Sequence, residues 1–228
     1  MKLLKVWLDE YPENPCSWDN LGTMACWHRR YNLGNQHNFH SPEDFLQWVK
    51  EIGRENFAIL PLYLYDHSGI TISTTPFSCP WDSGQVGWIY VTKARLQEEF
   101  MVKRVTKDII SRAENTLHTE VQTYDQYLRG EVYGFTLYEA EDGCFVELDS
   151  CGGFYGSDPR ENGMLECVPD EFQELLREVN FLHDGLVIAE TGEKMDAGQE
   201  LRNFLQERCL LLHSALEMHR VIRELCTL

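Results

Sequence analysis

The chain has 228 residues, 43% of them hydrophobic and 25% charged, which is ordinary globular usage and argues against wholesale disorder. Its 37 acids outnumber 20 bases for a formal net charge of −17, and the excess is uneven: residues 1–114 carry 14 acids and 12 bases, residues 115–228 carry 23 and 8. The densest stretch, 131–174, holds 12 acids against Arg160 alone, a field that repels phosphate backbones and disfavours direct nucleic-acid binding by this half.

Residues 2–8 (KLLKVWL) read as an opening strand, followed by a Pro/Asn/Asp-rich loop and a short second strand at 24–27. The segment 28–40 (HRRYNLGNQHNFH) has no period and is rich in turn formers, so it reads as a loop of the kind that carries function. Ser41 then caps a helix with Pro42 in its first position, Glu43 and Asp44 in its first turn, and an apolar stripe at Phe45, Trp48, Val49 and Ile52; Gly53 ends it. Residues 57–65 (FAILPLYLY) and 70–75 (ITISTT) flank Asp66-His67-Ser68-Gly69 as a hairpin. A Gly/Pro-bounded loop, 76–87 (PFSCPWDSGQVG), leads into a strand at 88–91, and Thr92 caps a helical region over 93–128 that breaks once near 102–107.

A second hairpin is expected at 131–139 and 144–148 around Glu141-Asp142-Gly143. Beyond it come a loop at 152–163, a short acidic helix at 169–179 and a last strand at 186–189. From 196 to about 226 the pattern is helical, with Leu201, Phe204, Leu205, Leu212, Ala215, Met218 and Ile222 on one side; such a tail either packs on the body or pairs with another copy. The sum is an α+β fold: small antiparallel sheets built from hairpins with packed helices, a compact body over 1–190, and a C-terminal helical tail over 191–228.

Eight cysteines raise the question of secretion, but the opening MKLLKVWLDEYPENP has only a short apolar run broken at Asp9. The thiols are therefore expected to be reduced, mostly small core residues, in a cytosolic protein. No apolar run approaches the roughly 18 residues a membrane span requires.

Three constellations carry candidate chemistry. In the loops of 66–87, His67, Cys79 and Asp82 are the candidates for catalysis, since an imidazole beside a thiol lowers its pKa and makes a nucleophile; a packed turn with a buried Cys is the plainer alternative. Cys26, His28, His37 and His40 supply four borderline ligands within fifteen residues and are the candidates for zinc, although C-x-H-x8-H-x2-H is not a usual structural-zinc spacing. No other cofactor is implied: neither G-x-x-x-x-G-K-[ST] nor G-x-G-x-x-G occurs. Arg29 and Arg30, with His67, would provide the basic side of a small-ligand or nucleotide pocket. Asp149-Ser150-Cys151-Gly152-Gly153 has only a superficial likeness to a serine-protease nucleophile and reads as a strand end before a glycine turn.

Several phrases form a familiar set: WDNLGTM (18–24), HRRYNLG (28–34), YDHSG (65–69), PFSCPWDSGQVG (76–87), YDQYL (124–128) and DSCGGFYG (149–156). Together they resemble a family of uncharacterised proteins encoded by bacteriophages, prophages and other mobile elements. The resemblance spans about residues 5–156 and implies a genetic context, acting in the host cytosol, rather than any catalytic residue. Joined to the acidic second half, it implies an anti-defence inhibitor, in some cases a DNA mimic, that binds a host nucleic-acid-handling protein through a basic surface. The carriers of that contact would be Glu139, Glu141, Asp142, Glu147 and Asp149. The alternative is an enzyme or small-ligand-binding protein using the 66–87 loops, and a third reading is a homo-oligomer paired through its C-terminal helix.

Overall fold

The structure, a computed structural model, describes residues 2–141, 144–189 and 194–196, and at 140, 141, 144, 195 and 196 it describes the backbone only. It is an α+β fold with two antiparallel sheets, and the chain divides into two units: 13–129, and a second made of 1–12 with 130–228. Within the expected helical tail of 191–228 the described residues Lys194–Asp196 form a strand, paired with 186–188, and the rest of the helix expected from 196 to 226 lies outside the described residues.

In the 13–129 unit the sheet order is β2 (Thr23–Cys26), β5 (Ser83–Thr92), β3 (Phe57–Asp66), β4 (Ile70–Ser73). Strand alternation sends β3 side chains to both faces, and both faces are covered. Ala58, Leu62 and Leu64 pack with Met24, Ile89 and Val91 against α3 (Lys107–Leu128), whose stripe Ile109, Ala113, Leu117, Val121 and Tyr124 recurs at helical spacing and is fully buried. Phe57 and Ile59 pack on the other face with Phe45 and Val49 of α1 (Pro42–Ile52), inside an aromatic cluster that includes Trp27, Trp48, Trp88 and Tyr90. Ser41 caps α1 by accepting from Asp44 N, as its sequence position implies. Pro61 is tolerated within β3 because β4 pairs only with Tyr63–Asp66, leaving that stretch of β3 as a sheet edge.

The helical region after Thr92 is two helices, α2 (Lys93–Glu99) and α3, with Thr106 capping the second. Polar side chains of α3 hold the loops on either side of β2 and the edge strand β4. Glu120 accepts from Leu21 N (2.7 Å) and Gly22 N (3.0 Å), Tyr124 Oη from Gly34 N (2.9 Å), and Asp125 Oδ1 from Ile72 N (2.7 Å). Burial raises the Glu120 pKa even though those two amides pull it down.

In the other unit the order is β7 (Cys144–Tyr155), β6 (Val132–Glu141), β1 (Lys2–Leu8), β8 (Leu186–Ala189), β9 (Lys194–Asp196), so the opening strand becomes a central one. Leu4, Val6, Phe135, Leu137 and Ile188 face α4 (Met164–Cys167) and α5 (Asp170–Arg177), and Leu3, Tyr138, Val187 and Ala189 face the opposite way, as the period of two requires. Two expectations change here. β7 continues to Tyr155 instead of ending near 148, because Trp7 lays its ring where side chains at Gly134 and Gly152 would stand, so the glycines serve sheet packing rather than a turn. Likewise β5 begins at Ser83, five residues before the expected Trp88, since Ser83–Gly87 pair with the end of β3.

Candidate functional site

Antiparallel pairing brings the end of β2, the end of β3 and the start of β5 to one end of the 13–129 sheet. Residues 27–30 and 81–86, at the ends of the loops that leave and enter the sheet there, border an open cavity of about 420 Å³. Its walls are Trp27, His28, Arg29 and Arg30 from the first loop, Leu64 and Asp66 from β3, and Trp81 and Asp82 with the first residues of β5. Two loops some fifty residues apart in sequence, each read separately as functional, thus form one site.

Most charges in the cavity are already paired. Arg30 forms an ion pair with Asp66, whose other oxygen accepts from the Tyr31 hydroxyl at 3.2 Å. Asp82 Oδ2 lies 3.3 Å from His67 Nδ1 and accepts from Cys79 Sγ at 3.8 Å. Ser83 Oγ donates to the Cys79 carbonyl, and Gln85 Nε2 to the Gly87 carbonyl at 3.2 Å. Arg29, by contrast, is exposed and forms no ion pair among the described residues. Trp81 lines the cavity yet is 91% exposed, which puts its indole at the mouth.

His28 stacks on Tyr31 with ring centroids 5.0 Å apart and planes within 5°, and its Nδ1 accepts from the amides of Arg30 (3.4 Å) and Tyr31 (3.3 Å). An acceptor Nδ1 places the ring proton on Nε2. Burial, then the charges of Arg30 and Arg29, lower its pKa below the ordinary imidazole value.

The catalytic candidates meet, but in an order unsuited to a thiol nucleophile. The Asp82 carboxylate stands as the shared partner of His67 and Cys79, so the acceptor nearest the thiol is a carboxylate and not the imidazole. Of the ligand-binding candidates, Arg29 and Arg30 line the cavity, and His67 reaches it only through Asp82. Sequence reasoning marks Trp81 only as one of six tryptophans that could build a core or an aromatic-lined pocket; its place between Pro80 and Asp82 in a loop gives it no core to join.

The zinc candidates do not converge. His37 Nε2 is 3.2 Å from the Cys26 carbonyl oxygen, and His28 Nδ1 accepts from the amides of its own turn. Among the described residues no group of three or more His, Cys, Asp or Glu side chains is placed to hold a metal ion. The cysteines also differ from expectation: Cys16, Cys26 and Cys79 are half-buried and Cys151 and Cys167 exposed, all as free thiols.

The proposed partner-binding acids lie on β6, β7 and their connection. Cross-strand pairing puts Glu147 beside Tyr138 and Asp149 beside Leu137, and Tyr138 and Leu137 face opposite sides of the sheet. Glu147 and Asp149 are exposed and Glu139 half-buried; Asp142 and the Glu141 side chain lie outside the described residues. Among the described residues no helix is long and apolar enough to cross a membrane. No family model, curated protein or solved structure matches the chain.

Proposed function

We propose that the chain is a binding protein whose ligand site is the cavity of the 13–129 unit, taking a small polar molecule without turning it over. The observation that carries this reading is the convergence of residues 27–30 with residues 81–86 on an open cavity of about 420 Å³, a size within the range of small-molecule sites, which run from about 300 to 1,000 Å³. The Arg30–Asp66 ion pair and the contact of Asp82 with His67 support it further, because partnered carboxylates fix the walls before a ligand arrives. A Cβ at Gly84, which lines the cavity, meets nothing within 4 Å, so Gly84→Phe introduces a side chain at the lining without a clash at its Cβ. Saturation-transfer NMR against a library of small polar compounds should yield compounds that bind the natural chain and are lost in Gly84→Phe. A library in which every hit binds both proteins equally would sink the reading.

The acidic-inhibitor reading stays as a second proposal, favoured by the segregation of charge. The 13–129 unit holds 14 acids and 11 bases, and the rest of the chain 23 and 9. A basic host protein steered to that second unit would bind in a salt-dependent way. The opposite facing of Glu147 and Asp149 means that such a partner would meet one of them and not both on a single flat surface.

A further inference from the structure

We infer that the ligand of the cavity is a nucleoside phosphate, with its base stacked on Trp81 and its phosphate on Arg29; this rests on the cavity being a ligand site. The polarity follows from which groups remain unspent. One Asp66 oxygen pairs with Arg30 and the other accepts from the Tyr31 hydroxyl, so the Arg30 charge is balanced within the wall. That leaves Arg29 as the cation of the lining without an ion pair among the described residues, and a planar guanidinium is suited to bidentate contact with phosphate. Its neighbour His28 is held with a depressed proton affinity and carries its proton on Nε2, a neutral donor on the same loop.

The other end of a ligand is defined by Trp81 and Asp82. An indole exposed to 91% in a loop stiffened by the Ser83 and Asp82 contacts is a face without a packing partner, and every base offers a π-face to it. The adjacent Asp82 carboxylate repels a phosphate and accepts from the N–H edge of a base, so it orients the ligand instead of merely admitting an anion. An inorganic anion leaves Trp81 and Asp82 unused, and an uncharged aromatic leaves Arg29 unused.

The test uses the full chain and titration calorimetry with AMP, GMP, CMP, UMP, adenosine, ribose 5-phosphate and inorganic phosphate. At least one nucleoside monophosphate should bind about tenfold or more tightly than inorganic phosphate, the gain expected of a stacked base. Arg29→Ala should weaken that nucleotide by about tenfold while leaving adenosine unchanged, as loss of one charge-assisted contact implies. Trp81→Ala should weaken the nucleotide and adenosine alike, and Trp81→Phe should restore most of the loss by keeping an aromatic face. Both side chains are exposed, so the variants keep the fold, which circular dichroism verifies. Phosphate binding as tight as any nucleotide, or nucleotide binding indifferent to both variants, overturns the inference. If no nucleotide binds while other compounds still depend on Gly84, the nucleotide assignment fails and the ligand site stands; if no compound depends on Gly84, both fail.

Discussion

The titration of His28 follows from its neighbours. Burial, Arg30 and Arg29 all favour the neutral ring, so its folded pKa lies below the unfolded value. The sign is then set: the folded state binds this proton less readily, so the stability linked to His28 is present above the ordinary imidazole pKa and is lost as pH falls through the folded one. An NMR titration of the His28 ring should place its midpoint below those of exposed histidines, and phosphate bound at Arg29 should raise it; a midpoint at or above the ordinary value would contradict the placement of both arginines. Thiol chemistry gives a second check at this scale. The Cys16 thiol is pushed up to about 12 by burial and then Glu120, and the Cys26 thiol to about 12 by burial and then Cys16. Because the thiolate is the reactive form, timed iodoacetamide labelling at pH 8 should modify exposed Cys151 and Cys167 first, with Cys16 and Cys26 slower by about tenfold or more.

Among the elements, α3 contributes both core and scaffold. Leu117 is fully buried beneath the sheet, and Leu117→Ala should cost about 2–5 kcal/mol in urea unfolding. Tyr124→Phe removes only a hydroxyl but strands the Gly34 amide, at a cost of about 1–3 kcal/mol; a neutral result would mean that water satisfies that amide. Gly34 itself has φ +72° with the Met24 carbonyl against its α-carbon, so this turn needs glycine. In the other unit Gly134→Ala drives a methyl into the Trp7 ring and should destabilise by about 1–3 kcal/mol, read from the same unfolding curves. These contacts join phrases that looked separate along the chain. Leu21 and Gly22 lie in the segment 18–24 and Gly34 in 28–34, and α3 ties the two together through Glu120 and Tyr124.

For the whole molecule, charge is the property most open to test. A tagged protein mixed with host lysate should retain a basic nucleic-acid-binding protein at low salt and release it at high salt, because exposed charges more than about 10 Å apart are screened at 0.1 M ionic strength. Retention that ignores salt would remove the charge-driven reading without touching the cavity. The division into 13–129 and the remainder explains where the charge goes: the near-neutral unit contains the cavity, and the acidic one contains the long hairpin β6–β7.

Local physics made much of the fold legible in the residues alone. The strand-like apolar runs of 2–8 and 57–65, the Ser41-Pro42 helix start, the helical region opened by Thr92 and the 186–189 strand depend on neighbours within a few positions, and each corresponds to an element of the structure. The early start of β5 and the late end of β7 were decided elsewhere. Ser83–Gly87 and Gly152–Tyr155 have turn-like composition and are strands only because β3 and β6 offer open edges and Trp7 requires glycines beneath its ring. The candidate site divides in the same way. Composition marked 28–40 and 66–87 as loops with chemistry in them, but their meeting depends on the β2–β5–β3 order, a long-range pairing with no local signature. Sequence determined which groups were available; tertiary pairing decided that Asp66 is spent on Arg30 and Tyr31, while Arg29, Trp81 and Asp82 Oδ1 remain for a ligand.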